Sequence, residues 1–359
     1  MLWFALGLIA LVLGAELLVR GASRLALSFG ISSLVVGLTI VAFGTSAPEL
    51  AVSVQSAWVG QVDIALGNVV GSNLFNVLFI LGISALIVPL VVHRQIIRQE
   101  VPIMIGASLL LWAMAANGGI SRWEGMLLAS LIVAYTVFVI RQSRREVAAG
   151  KAELDTSEVP EPGVGWQAHW SGQLLMMIVG LVLLVLGANW LVEAAVGFAK
   201  HLGVSELIIG LTVVAMGTSL PEVATSIMAA LRGERDIAVG NVVGSNIFNI
   251  LSVIGISASV APSDLSVAPA MMAFDLPIMV AVAVACLPVF FTGGVVGRWE
   301  GAMFLGLYAA YTFYLFLYAT RHAALEGYSL AMGGFVLPLL AATVLVLAWR
   351  HWHKARVGA

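Results

Sequence analysis

Residues 44–49 read GTSAPE, and residues 217–222 read GTSLPE. Residues 67–76 read GNVVGSNLFN, and residues 240–249 read GNVVGSNIFN. Both motifs return in the same order and at the same offset of 173 residues. Such self-similarity at a fixed spacing indicates an internal duplication. The chain is therefore expected to consist of two related halves.

The regions around both motifs are strongly apolar. Hydrophobic residues make up 61% of the chain and charged residues only 10%, whereas soluble domains carry roughly 25% charged residues. Uninterrupted apolar runs of about 18 or more residues predict membrane-spanning helices. The sequence predicts eleven spans, over about 2–19, 31–57, 63–92, 101–116, 123–140, 174–199, 205–231, 237–261, 268–291, 299–319 and 328–348.

The distribution of Lys and Arg residues orients these spans. Cytoplasmic loops of membrane proteins carry an excess of basic residues. With the N-terminus outside, 14 of the 17 Lys and Arg residues fall in inside loops or the C-terminal tail, and 3 fall outside. Because adding or removing one span would destroy this bias, it supports both the number of spans and an outside N-terminus.

The second half is predicted to be inverted relative to the first. Each half holds five spans, so the second half enters the membrane from the opposite side. A third repeated segment, RWEG, accordingly falls outside at residues 122–125 and inside at residues 298–301. Inverted repeats are typical of secondary transporters, whose sites lie near the bilayer midplane at the repeat interface. We predict an all-α membrane protein with two inverted five-helix repeats and an additional C-terminal transmembrane helix.

This organisation divides the chain into four parts. Residues 142–170 are rich in charge, proline and glycine, and they are predicted to form a cytoplasmic linker too short for a folded domain. Residues 1–141 form the first five-helix repeat, and residues 171–320 form the second. Residues 321–359 form the extra transmembrane helix and a cytoplasmic tail.

The first motif of each half combines a helix break with a carboxylate. Pro48 lacks an N–H, so the carbonyl of Gly44 loses its helical partner and the ring pushes the helix open. Carbonyls near Ala42 to Thr45 therefore become candidate ligands. At membrane depth such a helix break is tolerated only where neighbouring groups or a water-filled cavity provide hydrogen bonds to the freed backbone groups. Glu49 and Glu222 are costly near the midplane, and they would repel each other if brought together. A bound cation would relieve both penalties. The alternative is a pair of protonated structural carboxyls, or carboxyls bonded across helices.

The second motif supplies further oxygen atoms. Ser72 and Asn76 are four residues apart on one helix face, as are Ser245 and Asn249. Hydroxyl, amide, carbonyl and carboxylate oxygens are the ligands that hard cations such as Ca²⁺ prefer. The alternative for these residues is packing and hydrogen bonding between helices.

Other residues of the second motif are expected to be structural. The glycine pairs at the ends of 67–71 and 240–244 have GxxxG spacing, which lets a neighbouring helix approach closely. Asn73 and Asn246 lie off the face that carries the candidate ligands, and they are predicted to hold backbone in place.

Composition excludes several other classes of site. The net charge of −2 argues against a nucleic-acid partner, and the single cysteine, Cys286, excludes a disulfide framework. The six histidines fall in loops, near span ends or in the tail, which argues against a Zn²⁺ or Cu⁺ site. No arrangement of residues suits nucleophilic catalysis. We predict a protein that is not an enzyme and has no cofactor.

The doubled motifs resemble the two α-repeats of the sodium/calcium exchanger branch of the cation/Ca²⁺ antiporter superfamily. The resemblance covers about residues 1–320. It implies a ten-helix exchanger core in which spans 2, 3, 7 and 8 surround the site. Spans 1 and 6 would be long tilted helices that slide past this core. The long regulatory inside loop of animal members is absent from the sequence, which suggests the prokaryotic type.

The resemblance also implies a set of ligands. Glu49 and Glu222 would bind Ca²⁺ directly, with the carbonyls of Thr45 and Thr218. Asn76 and Asn249 would complete the centre; since neither is Asp, no potassium dependence is expected. The same groups would form the Na⁺ sites together with Ser46, Ser219, Ser72, Ser245 and the carbonyls of Ala42 and Ala215.

The function implied is exchange of Na⁺ for Ca²⁺ across a lipid bilayer by alternating access, in a prokaryotic inner membrane. A Ca²⁺/H⁺ antiporter that uses the same carboxylate pair is the alternative. A channel is a further class, and saturable counter-transport would distinguish a carrier from it.

Overall fold

The computed structural model describes residues 2–149, 169–201 and 215–357. Within these ranges, nine helices are long and apolar enough to cross a membrane, and a tenth span consists of two helices that meet at a bend. The two inverted five-helix repeats and the extra C-terminal helix predicted from the sequence are confirmed.

The first repeat contains spans 1 to 5. In chain order, they are Leu2–Phe29, the bent pair Ser33–Thr45 and Ala47–Trp58, Val62–Ile87, Ile96–Ala115 and Arg122–Ala148. The structure extends spans 1 and 5 beyond their predicted ends at 19 and 140. Span 1 continues past its Arg residues because Ala22, Leu25 and Ala26 on the same helix are buried in the core.

The second repeat contains spans 6 to 10, and span 11 follows it. Residues 205–214 of predicted span 7 lie outside the described residues. The spans are Trp170–His201, then Ala215–Gly217 with Leu220–Leu231, then Arg235–Val260, Met271–Phe291 and Arg298–Ala319. Span 11 joins Leu325–Ala331, Met332–Val336 and Leu337–Val357.

Two short strand pairs connect the halves and show their inversion. Leu90–Val91 pairs with Val295–Val296, and Gly119–Ile120 pairs with Leu265–Ser266, both antiparallel. The loop between spans 3 and 4 thus meets the loop between spans 9 and 10. The loop between spans 4 and 5 meets the one between spans 8 and 9. In both pairs, the loop between the third and fourth spans of one half meets the loop between the fourth and fifth spans of the other half, as opposite orientations require.

Burial places the second motifs at the centre of the molecule. The most apolar stretch of span 8 is entirely buried, whereas that of span 11 is not buried at all. A helix that is apolar on every side belongs in a core. In span 8 every residue from Ile237 to Phe248 is buried, so this part of the second motif lies in the interior and span 11 lies at the periphery.

Two further acids in the membrane hold neighbouring spans together. Glu100 is fully buried and accepts hydrogen bonds from the Tyr135 hydroxyl at 2.8 Å, from Gln95 at 2.9 Å and from Gln99 at 2.7 Å. In the second half, Asp275 accepts from the hydroxyl of Tyr311 at 2.9 Å. These contacts fix span 4 to span 5 and span 9 to span 10.

Candidate cation site

The helix breaks predicted from the prolines are confirmed where the structure describes them. Span 2 bends by 46° between Ser33–Thr45 and Ala47–Trp58, and Glu49 lies in the first turn of the second segment. In the second half, Glu222 lies in the first turn of Leu220–Leu231, directly after its own break. The free N–H groups of a helix N-terminus stabilise negative charge. Each break therefore places a carboxylate where the backbone favours an anion.

Each carboxylate is bound by a serine of the other half. The Ser219 hydroxyl donates to Glu49 Oε1 at 2.8 Å, and the Ser46 hydroxyl donates to Glu222 Oε1 at 3.2 Å. The exposed fraction is 0% for Glu49 and 1% for Glu222. Ser219 precedes Glu222 by three residues and Ser46 precedes Glu49 by three, so each acid lies beside the helix start that carries the other. The structure thus brings both predicted acids together at the interface of the repeats.

Several oxygens of this region have no hydrogen-bond partner among the described residues. Buried polar atoms are nearly always paired, and leaving one unpaired costs about 1–3 kcal/mol. A cation bound here would give such oxygens a partner. The unpaired atoms are Glu49 Oε2, Glu222 Oε2, Asn76 Oδ1, Asn249 Oδ1, Ser245 Oγ and Thr225 Oγ1.

Five of these six oxygens belong to residues predicted from the motifs, and Thr225 was missed. Thr225 follows Glu222 by three residues on the same helix, and its side chain is fully buried. Residues three apart lie on the same face of a helix. That spacing is the signal that would have found it. The corresponding residue of the first half is Val52, so this hydroxyl has no counterpart there.

The remaining predicted side chains form a hydrogen-bonded shell around the acids. The hydroxyl of Ser219 also contacts that of Ser72 at 3.1 Å. Thr45 donates to Asn241 Oδ1 at 3.2 Å, and Thr218 donates to Asn68 Oδ1 at 3.3 Å. The shell therefore crosses between the halves at every one of these contacts.

Asn68 and Asn241 are residues of the shell that sequence reasoning missed. Asn68 donates to Ser53 Oγ at 2.9 Å and to the backbone oxygen of Glu49 at 3.2 Å. Asn241 donates to Ser226 Oγ at 3.0 Å. Both occupy the second position of the repeated GNVVGSN segment, and their recurrence was the available signal. They connect spans 3 and 8 to the helices that carry the acids.

The predicted backbone ligands lie just before the breaks. The carbonyl of Ala42 accepts the backbone N–H of Ser46 at 3.0 Å and the hydroxyl of Thr45 at 3.3 Å. Ala215 is the first residue of the short helix Ala215–Gly217, at the position that corresponds to Ala42. The carbonyl of Ala42 therefore keeps its helical partner and is not freed by the break.

The glycines of the second motif allow span 8 to contact span 2 directly. A Cβ atom on Gly240 would lie 3.1 Å from the backbone oxygen of Leu34, and one on Gly244 would lie 2.6 Å from that of Leu38. The close approach predicted for this pair is confirmed. The residues that correspond to Leu34 and Leu38 near the first pair fall outside the described ranges.

The site depends on two carboxylates and neutral oxygens. Within the described ranges, no group of three or more His, Cys, Asp and Glu side chains could hold a metal ion. Oxygen ligands of this kind suit Ca²⁺ and other hard cations.

Comparison with known proteins assigns the fold and its repeated motifs to a family. A family model described as sodium/calcium exchanger protein matches residues 1–141 and 172–317. The chain belongs to the sodium/calcium exchanger family. The family match covers both halves of this exchanger and ends before span 11.

Two relatives of this exchanger extend the comparison. Sodium/calcium exchanger MaX1 of Methanosarcina acetivorans is 34% identical over 340 residues, which cover 87% of this chain and 97% of that protein. Putative antiporter CaxA of Alkalimonas amylolytica is 38% identical over 255 residues, which cover 70% of this chain and 78% of that protein. The similarity thus extends well beyond the two motifs.

A solved structure shares the fold of this exchanger. The sodium-calcium exchanger NCX_Mj, soaked with 10 mM Na⁺ and no Ca²⁺, superposes with a TM-score of 0.72 and 29% identity. The match covers 86% of this chain and 95% of that one. The exchanger architecture implied by the sequence motifs is therefore confirmed.

Proposed function

We propose that this protein is a secondary active antiporter that exchanges Na⁺ for Ca²⁺ across a membrane by alternating access. The observation that carries the proposal is the buried pair of Glu49 and Glu222, each with an unpaired carboxylate oxygen. Membership of an exchanger family supports transport rather than catalysis. MaX1 is a sodium/calcium exchanger by name, which supports the same pair of ions here.

We propose the motif oxygens as the ligands of these ions. The unpaired oxygens at Glu49, Glu222, Asn76, Asn249 and Ser245 support this assignment. The others are adjacent in the shell or in the helix break. The complete proposed set is Glu49, Glu222, Asn76, Asn249, Ser46, Ser219, Ser72 and Ser245, with Thr45, Thr218, Ala42 and Ala215.

The charges of the site explain how two ions would be coupled. Two carboxylates balance one Ca²⁺ or two Na⁺, so the ions compete for the same groups. An empty site with both acids charged would be costly to carry through the membrane, which suppresses leak. A third Na⁺ would add one positive charge, which the membrane potential would drive with about 2.3 kcal/mol per 100 mV.

Purified protein in liposomes loaded with Na⁺ is expected to take up ⁴⁵Ca²⁺ when the Na⁺ gradient points outward. A tenfold gradient supplies about 1.4 kcal/mol per ion, so uptake should rise with the gradient and saturate with external Ca²⁺. Liposomes with equal Na⁺ on both sides are the control. Uptake that ignores Na⁺ but follows a pH gradient would replace the proposal with Ca²⁺/H⁺ antiport.

We further propose that the protein lies in a prokaryotic inner membrane with its N-terminus outside and residues 142–170 in the cytoplasm. The excess of Lys and Arg on one side supports this orientation. Because the single cysteine, Cys286, is buried, added cysteines can report on sidedness. In intact cells, a membrane-impermeant maleimide should label Asn117→Cys, whose site is exposed between spans 4 and 5.

The matched variant for the other side is Arg145→Cys, at an exposed position near the end of span 5. It should be labelled only after the cells are permeabilised. Labelling of Arg145→Cys but not of Asn117→Cys in intact cells would reverse the proposed orientation.

A further inference from the structure

The oxygens of Asn76 and Asn249 can serve a cation only if their amide groups are turned the right way. An amide carries an acceptor oxygen and a donor NH₂ group of similar shape, and turning it by half a rotation exchanges them. Both oxygens are buried without a partner among the described residues. Whatever orients these two amides therefore decides whether the site presents an oxygen or a hydrogen-bond donor to the ion.

A chain of two hydrogen bonds runs from Asn76 to a methionine. The Asn76 NH₂ group donates to Asn246 Oδ1 at 3.2 Å, and the Asn246 NH₂ group donates to Met104 Sδ at 3.4 Å. A thioether sulfur can accept a hydrogen bond but cannot donate one. Asn246 must therefore turn its NH₂ group toward Met104 and its oxygen toward Asn76. This arrangement in turn directs the oxygen of Asn76 away from Asn246.

A second chain starts at Asn249, and like the first it passes through an asparagine of the other half. The Asn249 NH₂ group donates to Asn73 Oδ1 at 3.1 Å, and the Asn73 NH₂ group donates to Met279 Sδ at 3.6 Å. Met104 and Met279 are 1% and 3% exposed and occupy the same place in spans 4 and 9. Each is the last residue of a repeated PIM segment, at residues 102–104 and 277–279. Both copies of the duplicated half therefore have a methionine at this place.

The two chains differ in one respect. Asn73 also donates to the backbone oxygen of Asn246, at 3.4 Å, so its orientation is fixed twice. Asn246 has the sulfur of Met104 as the acceptor for its NH₂ group within the described part of the chain. The orientation of Asn76 therefore depends more strongly on Met104 than that of Asn249 depends on Met279.

We propose that Met104 and Met279 are positioning residues that set the direction of these two amide chains and so aim the oxygens of Asn76 and Asn249 at the transported cation. This inference rests on the proposed function of the site. Sulfur suits the task because it accepts a hydrogen bond weakly and does not compete for a hard cation. The contacts of Glu100 with Tyr135 and of Asp275 with Tyr311 hold the methionine-bearing spans in place.

Met104→Leu removes the acceptor while nearly preserving the volume of the side chain. Equilibrium binding of ⁴⁵Ca²⁺ to the purified full-length protein should weaken about two- to tenfold, the effect of one net hydrogen bond. Met279→Leu should weaken binding less, because the backbone oxygen of Asn246 still orients Asn73. Met114→Leu is the control, since Met114 is also buried in span 4 but belongs to neither chain of hydrogen bonds. This variant should bind Ca²⁺ as the wild type does.

The Asn76→Asp background separates orientation from general damage. A carboxylate has two equivalent oxygens and needs no orienting partner. Adding Met104→Leu to Asn76→Asp should therefore cause no further loss of affinity. Wild-type affinity in Met104→Leu, or an equal loss in both backgrounds, would overturn the proposed orienting role.

Two further outcomes are distinguishable. If Met104→Leu does not fold, as judged by its thermal unfolding, Met279→Leu with and without Asn249→Asp makes the same comparison in the other half. If the wild type binds no Ca²⁺, the proposed function itself fails, and the orienting role fails with it.

Discussion

Glu49→Gln and Glu222→Gln are each expected to abolish Na⁺-driven Ca²⁺ uptake. Each change leaves a neutral side chain of the same size, and it removes half of the negative charge available to a divalent cation. A bound Ca²⁺ would then be buried with only one of its two charges balanced. Removing one partner of a buried charge pair typically costs about 3–5 kcal/mol. Since about 1.4 kcal/mol is a tenfold change, Ca²⁺ affinity should fall by at least about 100-fold.

The control for this prediction is Asp275→Asn, which removes an acid from the membrane outside the site. Its amide oxygen can still accept the hydrogen bond of Tyr311, so uptake should persist. Initial rates of ⁴⁵Ca²⁺ uptake over a range of Ca²⁺ concentrations measure both effects. Normal uptake by Glu49→Gln or Glu222→Gln would show that the pair is structural, with its carboxyls bonded across helices and no ion between them.

Gly244→Ala is expected to destabilise the protein and to remove most of its transport activity. The added Cβ atom would lie 2.6 Å from the backbone oxygen of Leu38, 2.8 Å from its Cα atom and 2.9 Å from the Cβ atom of Ala42. Backbone atoms cannot rotate away, so spans 2 and 8 must separate. Overpacking of this kind costs about 1–3 kcal/mol, which exceeds the gain of about 1 kcal/mol that alanine brings to a helix.

The separation of spans 2 and 8 would also disturb the site, because Thr45 of span 2 is hydrogen-bonded to Asn241 of span 8. The unfolding temperature and the rate of ⁴⁵Ca²⁺ uptake should therefore both fall. Gly106→Ala is the matched control: Gly106 is an exposed helical glycine, and no described atom lies within 4 Å of a Cβ atom there. It should unfold at the same temperature as the wild type or higher. Equal stability of the two variants would contradict the close packing.

The fold and the two acids could be predicted because their signals lie in the sequence itself. Duplicated motifs give the repeat, and loop charges give its inversion. A carboxylate directly after a proline, repeated in the apolar runs of both halves, indicated a cation site. The ends of spans 1 and 5 were less predictable. Both helices continue through polar residues, and a low hydropathy predicts a loop there.

The partners of these groups could not be predicted, because they depend on how the halves pack. Nothing in the sequence pairs Ser219 with Glu49, since the contact exists only when antiparallel helices cross. Met104 and Met279 recur in PIM segments at 102–104 and 277–279, but a methionine in an apolar run also has the pattern of an ordinary core residue. Asn68 and Asn241 were visible in the motif, but their role required the shell around the acids.

Each acid accepts a hydrogen bond from a serine of the other half. This arrangement bears on how such a protein could have arisen. Half of this chain, expressed alone, would contain a carboxylate without the serine hydroxyl that binds it. One copy of a half therefore cannot form the site. Two identical copies inserted in opposite orientations would supply both contacts, with each serine hydroxyl coming from the opposite subunit. A gene for a single half, whose product inserts into the membrane in both orientations, would thus be a sufficient ancestor. Fusion of two such genes would then link the two halves in one chain.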